Sequence, residues 1–437
     1  MGRLFGFHYE ILEAGTDMEN RKLKKKENNI NIILVILIVA LGFVFIYINL
    51  VQYKISLNAD IAAEGLLARE IWESKQWIPQ DWYFSSESKV IGVTNLAALF
   101  YGLTESMCIA MGLGCIAGIL FVVWSLFSLC KELEFDTTQN LLLIFLVLLL
   151  PNNKNQIELL YLFAGYYAFH TGLYFLTMSF YLKLLKEKRV KCSQVIIIGG
   201  LHFILGMQGV RGILMITGPL MAVEIVRRIY QLYCNRNWCK EDNYVSLFVV
   251  ALNVLGFLGG KVPISISYPL SRNIRKAPQK LFEIVLPDFF NTFAWENISI
   301  GEKAAFIICL LVVIVLTIFI IYKGIKKQKI MLCEWVFLNF IVSVFLTIAA
   351  LTFTTVDSTS RYFVIIFFAI AMGIVILWKN PNKILKNILV VTVGIILLGN
   401  SVRVYYPLIT DKGFQHSEYM QISDYLFQEG YENAYAI

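Results

Sequence analysis

The sequence predicts an all-α, polytopic membrane protein: a bundle of about eleven transmembrane helices with a long first outer loop of amphipathic helix. Three observations carry this reading. Hydrophobic residues make up 58% of the 437 residues and charged residues 16%, against roughly 45–50% and 25% in a soluble domain. Polar side chains are therefore too few to cover a water-facing surface. Apolar runs close to the roughly 20 residues that cross a 30 Å hydrocarbon core recur along the chain. Lys and Arg gather in the short loops that alternate with longer ones, the pattern that sets topology in a bilayer. Disorder, collagen, a secreted disulfide scaffold and a cytosolic enzyme are excluded.

The first 29 residues are polar and carry Arg3, Arg21, Lys22, Lys24, Lys25 and Lys26, a basic block expected to stay in the cytoplasm. The apolar run 30–51 is too long for a cleaved signal segment and reads as a signal anchor. Ten further spans follow, at 107–130, 138–152, 163–185, 193–208, 212–229, 244–262, 303–322, 331–353, 362–378 and 386–404. With the N-terminus inside, the inside segments hold 23 of the 38 Lys and Arg in short stretches, and the remaining 15 are spread over much longer outer ones. Three outer segments are long: 52–106, 263–302 and the tail 405–437, which reads as the start of a further soluble domain with a helix at 419–429. The protein is thus expected in the plasma membrane, with its C-terminus and working face outside the cytoplasm. The net charge of +7 is accounted for by topology. No basic stripe with interleaved aromatics points to nucleic acid. The eight cysteines form neither a disulfide framework nor a paired zinc pattern.

Candidate chemistry collects on the outer face. Just after the first span, Asn58-Ala59-Asp60-Ile61-Ala62-Ala63-Glu64 opens a stretch with apolar residues at 61, 62, 66, 67 and 71, which predicts an amphipathic helix lying on the outer surface. Asp60 and Glu64 are four apart and share a face. Near a low-dielectric boundary such a carboxylate can be tuned as a general base; the plain alternative is a helix cap at Asp60. Trp77, Trp82, Tyr83 and Phe84 form an aromatic cluster before Glu87, suited to an interfacial belt or a sugar-stacking wall. Arg211 lies in the turn Gly209-Val210-Arg211-Gly212, and Arg361 in Ser360-Arg361-Tyr362 at an outer span mouth. Arginine at a membrane boundary is costly, and its fork suits a phosphate. The alternative for Arg361 is an ion pair with Asp357. His170 falls within a span and reads first as a packing residue. Trp82, Tyr83, His170 and Tyr362 are the candidate substrate-lining side chains. No P-loop, dinucleotide fingerprint, zinc-protease helix or serine elbow occurs.

These landmarks, in this order and on one side, resemble those of membrane glycosyltransferases of the GT-C fold, the group that includes protein O-mannosyltransferases and the aminoarabinose transferases of lipid A. The resemblance spans 30–404 and rests on Asp60-Ile61-Ala62-Ala63-Glu64, Trp82 to Glu87, Gly209-Val210-Arg211 and Ser360-Arg361-Tyr362. It implies a GT-C-like catalytic bundle and an inverting transfer from a polyprenyl-phosphate sugar to a cell-envelope glycan, lipid or protein. Asp60 would deprotonate the acceptor, and Arg211 or Arg361 would hold the departing lipid phosphate. Glu64 and Glu87 would orient the acceptor or a divalent cation; no nucleotide cofactor is implied. Many members carry two adjacent acids where Asp60 is followed by Ile61, so the role of a second carboxylate and of a metal stays open. Two other classes compete. An O-antigen-type polysaccharide polymerase or ligase would carry its main outer loop late in the chain. A transporter would place ionisable groups at mid-bilayer.

Overall fold

A computed structural model describes residues 2–53, 57–82, 90–187, 191–234, 243–259, 274–380 and 382–410. It is 82% helical without strands among these residues, an all-α architecture. Its helices are α1 (Gly2–Val51), α2 (Ala59–Ser74), α3 (Val93–Thr104), α4 (Met107–Glu132), α5 (Thr137–Leu149), α6 (Lys154–Leu160), α7 (Ala168–Glu187), α8 (Cys192–Met207), α9 (Gly218–Tyr233) and α10 (Asn243–Gly259). Short α11 (Ala277–Lys280) and α12 (Leu286–Asn291) precede α13 (Ile300–Ile325), α14 (Leu332–Phe353), α15 (Ile365–Trp378), α16 (Lys383–Asn400) and α17 (Tyr406–Thr410).

Each expected span overlaps a helix, but among the described residues six helical segments are long and apolar enough to cross a membrane: Glu27–Val51, Met107–Glu132, Ile300–Ile325, Leu332–Phe353, Ser360–Trp378 and Lys383–Thr410. At 1.5 Å per residue, the 26 residues of α13 reach about 39 Å. The other five expected spans fall on α5, α7, α8, α9 and α10, which are shorter or more polar. α5 has 13 residues, and α9 carries Glu224, Arg227 and Arg228. Limits shift too. The expected span 163–185 begins as a tight turn and becomes helical only at Ala168. The last span continues through a π-helical turn, Ser401–Tyr405, into α17, past the expected limit at 404.

The order of packing follows from which helices are apolar all round, since such a helix has no face to offer water and is buried. α5 and α15 are of this kind, with Leu142–Leu149 and Ile365–Val375 buried almost without a break. They pack on each other at the centre. α1 and α4 pack on α5, with α7 against α4, and α13 and α14 pack on α15, with α16 against α13. α8 and α10 pair closely at the edge. An ideal Cβ on Gly206 would lie 2.0 Å from the Asn253 carbonyl oxygen, and one on Gly256 would lie 2.0 Å from that of Phe203. Small residues here let two backbones touch, the usual route to association where lipid offers no hydrophobic drive.

The first outer loop differs from its expectation in one respect. α2 is amphipathic and buries Ile61, Leu67, Ala68 and Ile71. That face packs on α3 and α4 rather than lying free on the surface. Its cap is Asn58, whose side chain accepts from the Ile61 N–H at 2.9 Å, so Asp60 is a first-turn residue and not the cap.

Candidate functional site

The end of the bundle where α1 finishes is fixed by side-chain amides that answer buried backbone groups. Such groups must find partners inside a protein that lacks water. Asn49, near the end of α1, donates to the Tyr161 carbonyl at 2.9 Å and accepts from the Phe163 N–H at 3.0 Å. Tyr53 donates to the Phe163 carbonyl at 2.6 Å, and Gln52 to that of Ile409 at 2.6 Å. The turn between α6 and α7 is thereby pinned. It needs Gly165, which sits at φ +51° with its α-carbon facing Val93 closely enough that a Cβ would come within 3.0 Å of it. α6 is capped by Asn153, whose carboxamide oxygen accepts from the Gln156 N–H at 2.9 Å. This places Glu158 inside, with only 2% of it exposed.

On the facing side, Arg361 is presented by a single helical turn, Ser360–Phe363. The Ser360 carbonyl accepts from Gln156 at 2.8 Å and from Thr292 at 3.1 Å. Lys280 donates to the carbonyls of Thr354 and Val356 at the start of the same loop. Below it a run of edge-to-face rings, Phe289 on Phe363 (5.6 Å) and Phe293 on Phe367 (5.6 Å), seats the second outer loop on the bundle. Edge-to-face geometry suits the ring quadrupoles.

Between these two supports the charged residues meet. Arg361 Nη1 lies 3.6 Å from Asp60 Oδ2, with side chains 34% and 66% exposed. Asp60, not Asp357, is therefore the ion-pair partner of Arg361, while Asp357 lies within reach of the Lys280 charge. Glu64, one turn further along α2, accepts a hydrogen bond from the Thr94 hydroxyl of α3. Glu158 lies beside the pair. Burial pushes its carboxyl above the ordinary range, against the pull of Arg361 and Lys154 and a hydrogen bond from Asn58, with Asp60 adding a further push upward. Its Oε1 has no hydrogen-bond partner. The Tyr166 hydroxyl feels the charges of Glu64, Glu158, Asp60 and Arg361 together. Three carboxylates, a guanidinium and a phenol thus converge at this end of the bundle.

The other candidates distribute around this centre. Arg211 stacks its guanidinium 4.0 Å above the ring of Tyr167, next in the chain to Tyr166. That geometry holds a cation by the negative face of the ring. His170 is buried one turn on, its ring 6.2 Å from that of Tyr167. Gln208, in the turn that carries Arg211, accepts from the Val90 N–H at 2.8 Å and from the Ile91 N–H, tying that turn to the first outer loop. Trp82 and Tyr362 are partly buried against the core. Tyr83 and Glu87 lie outside the described residues. Among the described residues no group of three or more His, Cys, Asp or Glu is close enough to hold a metal ion.

Glu158 and Tyr166 were missed in the sequence. The signal was present: Asn152-Asn153-Lys154-Asn155-Gln156 interrupts the apolar stretch 138–185, and an acid placed just after such a break lies at a helix end rather than mid-span. Comparison with known proteins adds no relative, since no family model, no curated protein and no solved structure matches this chain.

Proposed function

We propose that this protein is a membrane glycosyltransferase with a GT-C-like bundle of eleven crossings and its N-terminus in the cytoplasm. It moves a sugar from a polyprenyl-phosphate donor to a hydroxyl acceptor on the extracytoplasmic face. The observation that carries the reading is the meeting of Asp60 and Arg361, 3.6 Å apart, at an outer mouth that also gathers Glu64, Glu158 and Tyr166. A base for the acceptor and a cation for the leaving phosphate are the two groups that inverting transfer requires; they act on opposite faces of the anomeric carbon, so the resting pair must part to admit the reacting atoms between them.

In the reaction the acceptor oxygen bonds to the anomeric carbon as the bond from that carbon to the phosphate oxygen breaks. The electron pair departs with the lipid phosphate, and the acceptor proton passes to the Asp60 carboxylate. Negative charge grows on the phosphate in the transition state, where the Arg361 guanidinium meets it. The resting ion pair holds each group in position and is exchanged for the donor phosphate on binding. Glu158 sits behind Arg361, and Arg211, stacked on Tyr167, supplies a second cation to the lipid-phosphate side.

The test pairs purified full-length protein with polyprenyl-phosphate sugars and, separately, with nucleotide sugars. Transfer from the lipid-linked donor is the expected result. Transfer from the nucleotide sugar alone overturns the proposal.

A further inference from the structure

α3 carries no charged side chain in its 12 residues. At 1.5 Å per residue it is about 18 Å long, too short to cross a hydrocarbon core of about 30 Å. Only Glu105, at φ 53°, and Ser106 separate it from α4, so the two helices fold back on each other as a hairpin. The close contacts between them fix how far α3 descends. An ideal Cβ on Gly114 would lie 2.9 Å from the Val93 carbonyl oxygen and 3.3 Å from the Ala97 Cβ, and one on Gly118 would lie 3.1 Å from the Val93 side chain. The first residue of α3 therefore sits well down α4, and its last residue stands beside the start of α4.

α4 is long and apolar enough to cross a membrane, and so is the Glu27–Val51 part of α1. The two are level at Asn49, whose carbonyl oxygen lies 2.2 Å from where a Cβ on Gly112 would stand. From Gly112 to Glu132, the last residue of α4, the rise is about 30 Å, one core thickness. With the core ending near Gly112, Gly114 and Gly118 lie about 3 Å and about 9 Å inside it. Val93, packed on both, is submerged to that depth, and the hairpin tip at Glu105 stands among the headgroups.

The side chains match this placement. Val93, Thr94, Asn95, Ala97 and Ala98 turn into the protein, while Leu99 and Leu103, four apart on one face, are 49% and 81% exposed. Trp72 packs on Gly102 near the tip, with the Lys75 ammonium 3.7 Å over its ring, a combination suited to the headgroup layer. The backbone that leads into α3 is answered by protein: Gln208 accepts from the Val90 N–H at 2.8 Å and from the Ile91 N–H. Non-helical backbone at membrane depth is tolerated where the protein meets its polar groups in this way.

We propose that α3 is a re-entrant helix whose exposed face, Leu99 and Leu103, is covered by lipid of the leaflet in which α4 begins. The occupant is lipid rather than a second copy of the chain, because the exposed apolar residues continue beyond the hairpin at Ile109 and Leu120 of α4, in the same leaflet. The inference is independent of the sugar-transfer reading and survives its failure.

Photo-cross-linking of the full-length protein in phosphatidylcholine vesicles tests it. Each variant carries one photo-reactive exchange: Leu99→benzoylphenylalanine, or the same at Leu103, Leu120 or Gln76. Lipid adducts are read by mass spectrometry. Leu120, 64% exposed on α4, reports lipid contact, and Gln76, exposed beyond the end of α2, reports water. Adduct yields at Leu99 and Leu103 are expected within about threefold of that at Leu120 and about tenfold above that at Gln76, because acyl chains are confined to the core and its rim. Leu103 is exposed enough to take a bulky residue without disturbing the packing, and it decides alone should the Leu99 variant fail to fold. Yields as low as at Gln76 overturn the inference and would stand α3 in water. Cross-linked pairs of chains at Leu99 or Leu103 overturn it in favour of a second copy. Absence of adducts at Leu120 overturns it as well, since the depth of α3 is counted along α4.

Discussion

Asp60 keeps the shape of its side chain in Asp60→Asn and loses its basicity. Transfer is expected to fall by about 10²–10⁴-fold in a donor assay, with the amount of folded protein unchanged. Arg361→Lys keeps the charge but replaces a planar fork by a point, and should cost about 10²-fold in the same assay. Glu158 gives a prediction that needs no substrate. Its folded carboxyl titrates above the ordinary value because it is buried. The folded state thus holds that proton more tightly than the unfolded one, and stability falls as pH rises through the raised value. Glu158→Gln should melt higher than wild type near neutral pH, and the gap should close below the ordinary carboxylate range. A gap that is constant from pH 4 to 8 would remove the role of burial. At this scale the sequence marked Asp60, Glu64, Arg211 and Arg361 as charges next to apolar spans, and the ion pair of Asp60 with Arg361 joins two of them. It did not show that Asp60 would take Arg361 from Asp357, because that pairing spans 301 positions and depends on Ser360 being held by Gln156 and Thr292. Glu158 was hidden for a similar reason: the turn that follows it is held by Asn49 of α1 and by Tyr53, more than a hundred positions away.

Among the elements, the α8–α10 contact makes the sharpest claim. Gly256→Val would drive a side chain into the Phe203 carbonyl, and such overpacking costs about 1–3 kcal/mol or more. Gly200, on the same helix pair, has nothing within 4 Å of an added Cβ. Thermal melting in detergent should drop for Gly256→Val and hold for Gly200→Val; equal behaviour would mean that the two helices do not touch as described. The long helices were legible because α13 and α14 are uninterrupted apolar runs. The limits of α5 and α7 were not. Pro151 and the polar stretch behind it end α5 early, and the tight turn at Gly165, which is held by Asn49 of α1 and by Val93, delays α7. The amphipathic pattern of α2 was read correctly as a pattern, while its partner was assigned to the membrane surface, since periodicity marks an apolar face without saying what covers it.

For the whole molecule, orientation follows from the basic loops. Reporters fused near Lys188 and Lys326 should read cytoplasmic, and those near Gln76 and Gln279 should read outside. A cytoplasmic reading at Gln76 would put Asp60 on the face where lipid-linked sugars of the outer leaflet are absent. The two ends of the described bundle are also joined in time. Gln52 is among the first outer residues to leave the ribosome, yet the carbonyl it binds belongs to Ile409, 357 positions later. Nothing made in between can close that bond. The mouth that gathers Asp60, Glu158 and Arg361 is therefore finished only once Ile409 has been made, and a nascent chain halted before residue 400 should remain open there to a membrane-impermeant thiol probe at a cysteine placed at position 52. The order of translation itself thus leaves this end of the bundle unsealed until its most distant partner has been made.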